Sequence, residues 1–71
     1  MFDQKSFGTR LLEIRTASGE KQPDLAEVLD VSVTQISEME NGKKGTTLPK
    51  LTLICEHYNV SADYLLGLTD E

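Results

Sequence analysis

Cysteine, histidine and long apolar runs are all scarce in this sequence. Its one cysteine, Cys55, has no partner for an internal disulfide, and its one histidine, His57, cannot complete with it a metal site of the usual three or four ligands. No uninterrupted apolar stretch exceeds three residues, far below the roughly 20 that cross a bilayer, and the N-terminal MFDQKSFG lacks the apolar core of a signal peptide. These absences predict a cytoplasmic protein with no membrane association, no metal and no cofactor. An enzyme would need a nucleophile with a base, paired carboxylates in a cleft, or a metal site. None of these is visible in the sequence, and no enzymatic activity is expected.

Positive charge is also in deficit. Seven Lys and Arg residues against 12 Asp and Glu give a formal net charge of −5. That balance argues against nucleic acid as a partner, because nonspecific affinity for DNA comes mainly from cations neutralising phosphates. The distribution softens the argument. Lys43, Lys44 and Lys50 lie in a stretch, 41 to 50, without an acid, while Asp63, Asp70 and Glu71 fall near the C-terminus. A basic patch can survive locally in an acidic chain.

What is present is an ordinary folded composition, 38% hydrophobic and 27% charged over 71 residues, with no biased segment. It predicts one domain over residues 1–71 with a single small core and modest stability. No segment carries the period-two alternation of a strand, so the expected fold is all-α.

Apolar residues Phe7, Leu11 and Ile14 at i, i+4 and i+7 line one face of a first helix from Phe7, which Gly19 stops. Pro23 fits the first turn of a second, short helix carrying Leu25, Ala26 and Leu29. Asp30 follows where the chain must turn sharply, and Asp tolerates left-handed backbone better than most residues. Ser32-Val33-Thr34-Gln35 matches the S/T-x-x-E/Q capping box and starts a third helix at Val33. Asn41-Gly42 ends it, both residues being at ease in left-handed backbone. Thr47 caps a fourth helix with Leu51, Ile54, Cys55 and Tyr58 on its apolar face, ending near Asn59. Ser61 caps a fifth that holds Tyr64, Leu65 and Leu66 and stops at Gly67.

Two short helices joined by a tight turn, residues 22–42, have the form of a helix-turn-helix unit, whose second helix enters a DNA major groove. In order and spacing, the sequence carries Leu11-x-x-Ile14-Arg15, Gln22-x-x-Leu25-Ala26, Val31-Ser32-x-x-x-Ile36-Ser37-x-Met39-Glu40-Asn41-Gly42-Lys43, and Asn59-Val60-Ser61-x-Asp63-Tyr64-Leu65-Leu66-Gly67. On these residues it resembles, from Phe7 to Gly67, the helix-turn-helix domain of phage lambda repressor and Cro, the XRE family. The resemblance implies a five-helix, lambda-repressor-like DNA-binding domain.

It also implies a division of labour. Base contacts would come from Val33, Thr34, Ser37 and Glu38. Backbone contacts would come from Gln22, Asn41, Gly42, Lys43 and Lys44, partly through backbone N–H groups around Asn41-Gly42, with Ser32 and Gln35 beside them. Helical geometry agrees in part: with Ile36, Met39 and Glu40 turned inward, Thr34, Glu38 and Asn41 face out and Ser37 and Gln35 flank them. Val33 reaches DNA only because it lies on the first turn. Arg15 and Glu40, charged residues on otherwise apolar faces, correspond to the family's buried ion pair between the first and third helices. Glu38 has two readings, an acceptor for a cytosine amine or a solvated acid, and Lys43 and Lys44 are phosphate contacts or ordinary surface lysines. Cys55 reads as a small core residue and His57 as a partly exposed one.

Three positions depart from the family pattern. Glu20 stands where a core leucine is usual, Lys21 replaces a Ser or Thr cap, and Asp30 replaces a turn glycine. All three predict a loosely held second helix, and Glu20 adds negative charge near a phosphate site.

The resulting expectation is a Cro-type regulator, prophage or bacterial, that binds double-stranded operator DNA as a homodimer on two half-sites. Leu65, Leu66 and Leu68 are candidates for the self-contact, with Leu65 or Leu66 alternatively in the core. The rival expectation is a protein-binding modulator, an antirepressor or antitoxin-like partner, whose acidic surface holds a repressor or toxin. Net charge and Glu38 favour that rival. The basic 43–50 stretch, Gln22 and Asn41-Gly42 favour DNA.

Overall fold

Capping groups decide where each helix begins. In the computed structural model, which describes residues 1–70, the Asp3 carboxylate accepts a hydrogen bond from the Lys5 amide at 3.1 Å. This starts α1 (Gln4–Ala17) a turn earlier than the apolar spacing from Phe7 predicts. Helix α2 (Gln22–Leu29) gets no bond from the Lys21 side chain. Instead the Asp24 carboxylate accepts from the Lys21 amide at 2.8 Å, and Pro23 occupies the first turn. Ser32 and Gln35 exchange bonds of 3.1 Å in each direction, the reciprocal capping box that starts α3 (Val33–Glu40). Thr47 caps α4 (Leu48–Tyr58) and Ser61 caps α5 (Ala62–Leu66).

Left-handed residues end the helices. Asp30 and Asn59 both take φ near 55°, the conformation for which Asp and Asn are enriched among residues other than glycine. After α3 the expectation needs correcting. Asn41 sits at φ −86°, and Gly42 alone crosses to positive φ, at 76°.

Each helix sends apolar residues inward. Phe7 and Leu11 from α1, Leu25 and Leu29 from α2, Ile36 from α3, Ile54 from α4 and Leu65 from α5 are all at most 2% exposed. At about 1.5–3 kcal/mol for each large side chain fully buried, this cluster dominates the folding energy. Among the described residues there is no strand, and no helix is long and apolar enough to cross a membrane. Full burial takes Leu65 out of the expected self-contact and leaves Leu66 and Leu68.

A polar tie and a close helix approach position α1. The Arg10 guanidinium donates to the carbonyls of Tyr64 at 2.6 Å and Thr69 at 2.8 Å and lies over the Tyr64 ring, 4.7 Å from its centroid. The C-terminal segment is thereby fastened to α1. Gly8 lets α1 approach the end of α3, since a Cβ there would stand 2.4 Å from the Met39 carbonyl oxygen.

Candidate nucleic-acid interface

Helix α3 has two faces of opposite character. Ile36, Met39 and Glu40 are buried, while Val33, Thr34, Gln35 and Asn41 are exposed. Ser37 and Glu38 are half-buried. For Ser37 the cause is its flank position, where its hydroxyl accepts a bond from the Asn41 amide at 3.3 Å. Glu38 is drawn toward the chain that follows α3, and its carboxylate lies 3.6 Å from the Lys44 ammonium.

The buried side of α3 is held by an ion pair. Arg15 donates through Nε to Glu40 Oε2 at 2.6 Å and through Nη2 to Oε1 at 3.1 Å, in the paired geometry that a guanidinium offers a carboxylate. Its Nη1 donates to the Glu20 carbonyl at 2.8 Å. The bond to Glu40 outweighs the cost of burial and raises the Arg15 pKa further above its ordinary value. Gln22 joins the pair, its amide nitrogen donating to Glu40 Oε1 at 2.9 Å. Of the two N–H groups on that amide, one is therefore used inside the protein and one is left for an outside acceptor. Side chains from α1 and α2, Arg15 and Gln22, thus converge on the one buried carboxylate of α3, which fixes the helix-turn-helix unit against α1.

The turn after α3 overturns one expectation. The N–H groups of Asn41, Gly42, Lys43 and Lys44 all donate back to α3, to the carbonyls of Ser37, Met39, Glu38 and Glu38 respectively. They close the helix end and are not free backbone donors for phosphate. Gly42, without a side chain, then has no donor to offer. Its role is conformational: besides its positive φ, a Cβ there would come 2.8 Å from the Lys5 Cα. Any phosphate contact from this turn falls to the side chains of Asn41, Lys43 and Lys44. Ser32 keeps its hydroxyl hydrogen and Gln35 its amide N–H groups after the capping box has formed.

Sequence reasoning missed Gln4 and Lys5. Gln4 donates to the Gly42 carbonyl at 3.0 Å, and the exposed residue Lys5 packs the base of its side chain against Gly42. The available signal was Asp3, a helix cap just before both residues.

The three departures around α2 have partners. Glu20 accepts from the Tyr58 hydroxyl at 2.7 Å and meets His57 Nε2 at 2.7 Å, joining the α1–α2 turn to α4. Burial, and then the bond to Glu20, push the Tyr58 phenol well above its ordinary pKa. In place of a leucine, this position carries a polar tie that draws Glu20 toward α4. Asp24 replaces the missing cap and Asp30 accepts the left-handed turn, so α2 is held at both ends. Cys55 is half-buried, and burial raises its thiol pKa.

Five helices, with α2 and α3 joined by a left-handed turn and α3 exposing one face, define a helix-turn-helix domain. The helix-turn-helix family model HTH_3 matches residues 11–65, and the chain belongs to this family, of the XRE type. It is 35% identical over 63 residues to the HTH-type transcriptional regulator PrpR of Mycobacterium tuberculosis, covering 89% of this chain and 13% of that protein. It is 37% identical over 62 residues to the HTH-type transcriptional regulator ImmR of Bacillus subtilis, covering 87% and 49%. The chain therefore spans half or less of the length of these two curated relatives. Among solved structures, the restriction-modification controller protein C.AhdI from Aeromonas hydrophila superposes with a TM-score of 0.79 at 27% identity, over 89% of this chain and 96% of that one. The P22 c2 repressor, solved in complex with a synthetic operator, gives 0.79 at 27%, over 84% and 91%.

Proposed function

We propose that this chain is a sequence-specific regulator of transcription that reads double-stranded operator DNA with the exposed face of α3. The observation that carries this reading is the division of α3 itself. Its inner face is locked by Ile36, Met39 and the Arg15–Glu40–Gln22 cluster, so Val33, Thr34, Ser37 and Glu38 are presented from a rigid support. Rigid presentation suits base reading, because hydrogen bonds and methyl contacts in the major groove discriminate only when the helix holds its register. Val33 and the Thr34 methyl suit thymine methyl groups, and Glu38 suits a cytosine amine.

Backbone contacts in this reading come from the remaining Gln22 N–H, the Ser32 hydroxyl, the Gln35 and Asn41 amides, and the Lys43 ammonium, with Lys5 beside them. The family relationship to transcriptional regulators, and the likeness to a repressor solved on its operator, support the same assignment. We further propose that it acts in the cytoplasm as a homodimer, because one α3 offers few contacts and two half-sites about one turn apart multiply them. Leu68, 69% exposed, with Leu66 is the candidate self-contact.

An amide chemical-shift titration with duplex DNA of the regulator's own upstream region tests this. The expected result is the largest changes at Ser32–Glu38 and at Lys43. Changes confined to α4 and α5, with α3 unmoved, would refute it.

A further inference from the structure

The carbonyl of Glu38 accepts two bonds from the turn that follows α3, from the Lys43 amide at 2.9 Å and the Lys44 amide at 3.3 Å. This folds the chain back so that Lys44, six residues on, stands over the carboxylate it pairs with, Nζ to Oε1 at 3.6 Å. Glu38 Oε2 has no partner among the described residues. The backbone bonds of the helix stop bring the two residues together, so the partly exposed side chains need only a short reach to pair.

Resting on the proposal that α3 reads operator DNA, we infer that Lys44 is a positioning residue for specificity: it holds and neutralises the Glu38 carboxylate for base reading and is not an independent phosphate contact. A bare carboxylate on the reading helix would be repelled by the phosphates on either side of the groove. With Oε1 paired to Lys44 the local charge is cancelled, and Oε2 remains as the acceptor for a cytosine amine. The pair is weak in water because it is exposed and screened. It strengthens when DNA displaces solvent from around it. Lys43, which makes no ion pair with Glu38, keeps the phosphate role.

Binding to a duplex enriched from random-sequence DNA by the parent protein, and to its single-base variants, tests this in a double-mutant cycle. Lys44→Ala is expected to weaken binding roughly tenfold with Glu38 present and about twofold or less in the Glu38→Gln background. It should also reduce discrimination at one base pair. Lys44→Arg, which preserves the pair, should restore that discrimination, a readout that mere support of the fold would not move. Equal losses in both backgrounds, with discrimination intact and the salt slope lowered by about one in each, would make Lys44 a phosphate contact and overturn this inference alone. If the parent enriches no sequence over random DNA, this inference and the DNA reading both fall.

Discussion

Gly8 faces the last turn of α3 so closely that a Cβ on it would stand 2.4 Å from the carbonyl oxygen of Met39 and 2.6 Å from that of Glu40. Both obstacles are backbone, at the end of the helix that carries the reading face. Gly8→Ala must therefore push α1 and α3 apart, at a cost of about 1–3 kcal/mol. Urea unfolding of this variant should show a clearly lowered midpoint. A midpoint equal to the parent's would mean that the two helices sit farther apart than described.

The Arg15–Glu40 pair lies in the same seam, with side chains 9% and 3% exposed. Removing one partner leaves the other charged and buried, so Arg15→Met should cost about 3–5 kcal/mol. Changing Glu40→Leu in addition should recover part of that loss, because the stranded charge goes with it. Thermal melts of the parent, the single and the double variant check this. A double variant as unstable as the sum of both singles would contradict it.

Much of this arrangement is legible in the residue order. Ser32 and Gln35 announce their capping box by type and spacing. Ile36, Met39 and Glu40 mark the buried face of α3 by helical period, and Asp30 marks the turn by its tolerance of left-handed backbone. Contacts between distant segments are not legible this way. Nothing local to Glu20 indicates that Tyr58 and His57 will meet it from α4, and nothing near Arg10 indicates the carbonyls of Tyr64 and Thr69. Hydrogen-bond accounting at the end of α3 was also hidden. The Asn41-Gly42 pair signals a stop, but only the folded turn shows that its N–H groups are spent on α3. The small residue at position 8 carries no pattern of its own, since its reason lies in the approach of a second helix.

The Glu20–Tyr58 bond gives the protein a response to alkali. Tyr58, ordinarily near 10.0, is held protonated in the fold to higher pH, first by burial and then by Glu20. A pKa raised by folding contributes stability that is full below the unfolded value and is lost as pH rises through the folded one. The stability difference between the parent and Tyr58→Phe should therefore shrink as pH rises from about 8 to about 11.5, across the ordinary Tyr range. Urea midpoints across that range measure it. A difference that stays constant would show that the phenol titrates alike folded and unfolded.

Lys43 is expected to behave differently from Lys44. Its ammonium makes no ion pair among the described residues, so Lys43→Ala should weaken selected and random duplexes by similar factors and lower the salt slope by about one. Fluorescence anisotropy over a salt series distinguishes the cases. A loss confined to one sequence would move Lys43 to the bases.

Sequence reading by α3 shows in the ratio of affinities for the enriched duplex and for random DNA of the same length, both at about 50 mM salt where electrostatic contacts are strong. A ratio of roughly a thousand or more is expected for the parent. Glu38→Gln is expected to lower the ratio, because the carboxylate that accepts from a cytosine amine is lost from the reading face. A parent ratio near one would contradict the claim that this helix reads DNA.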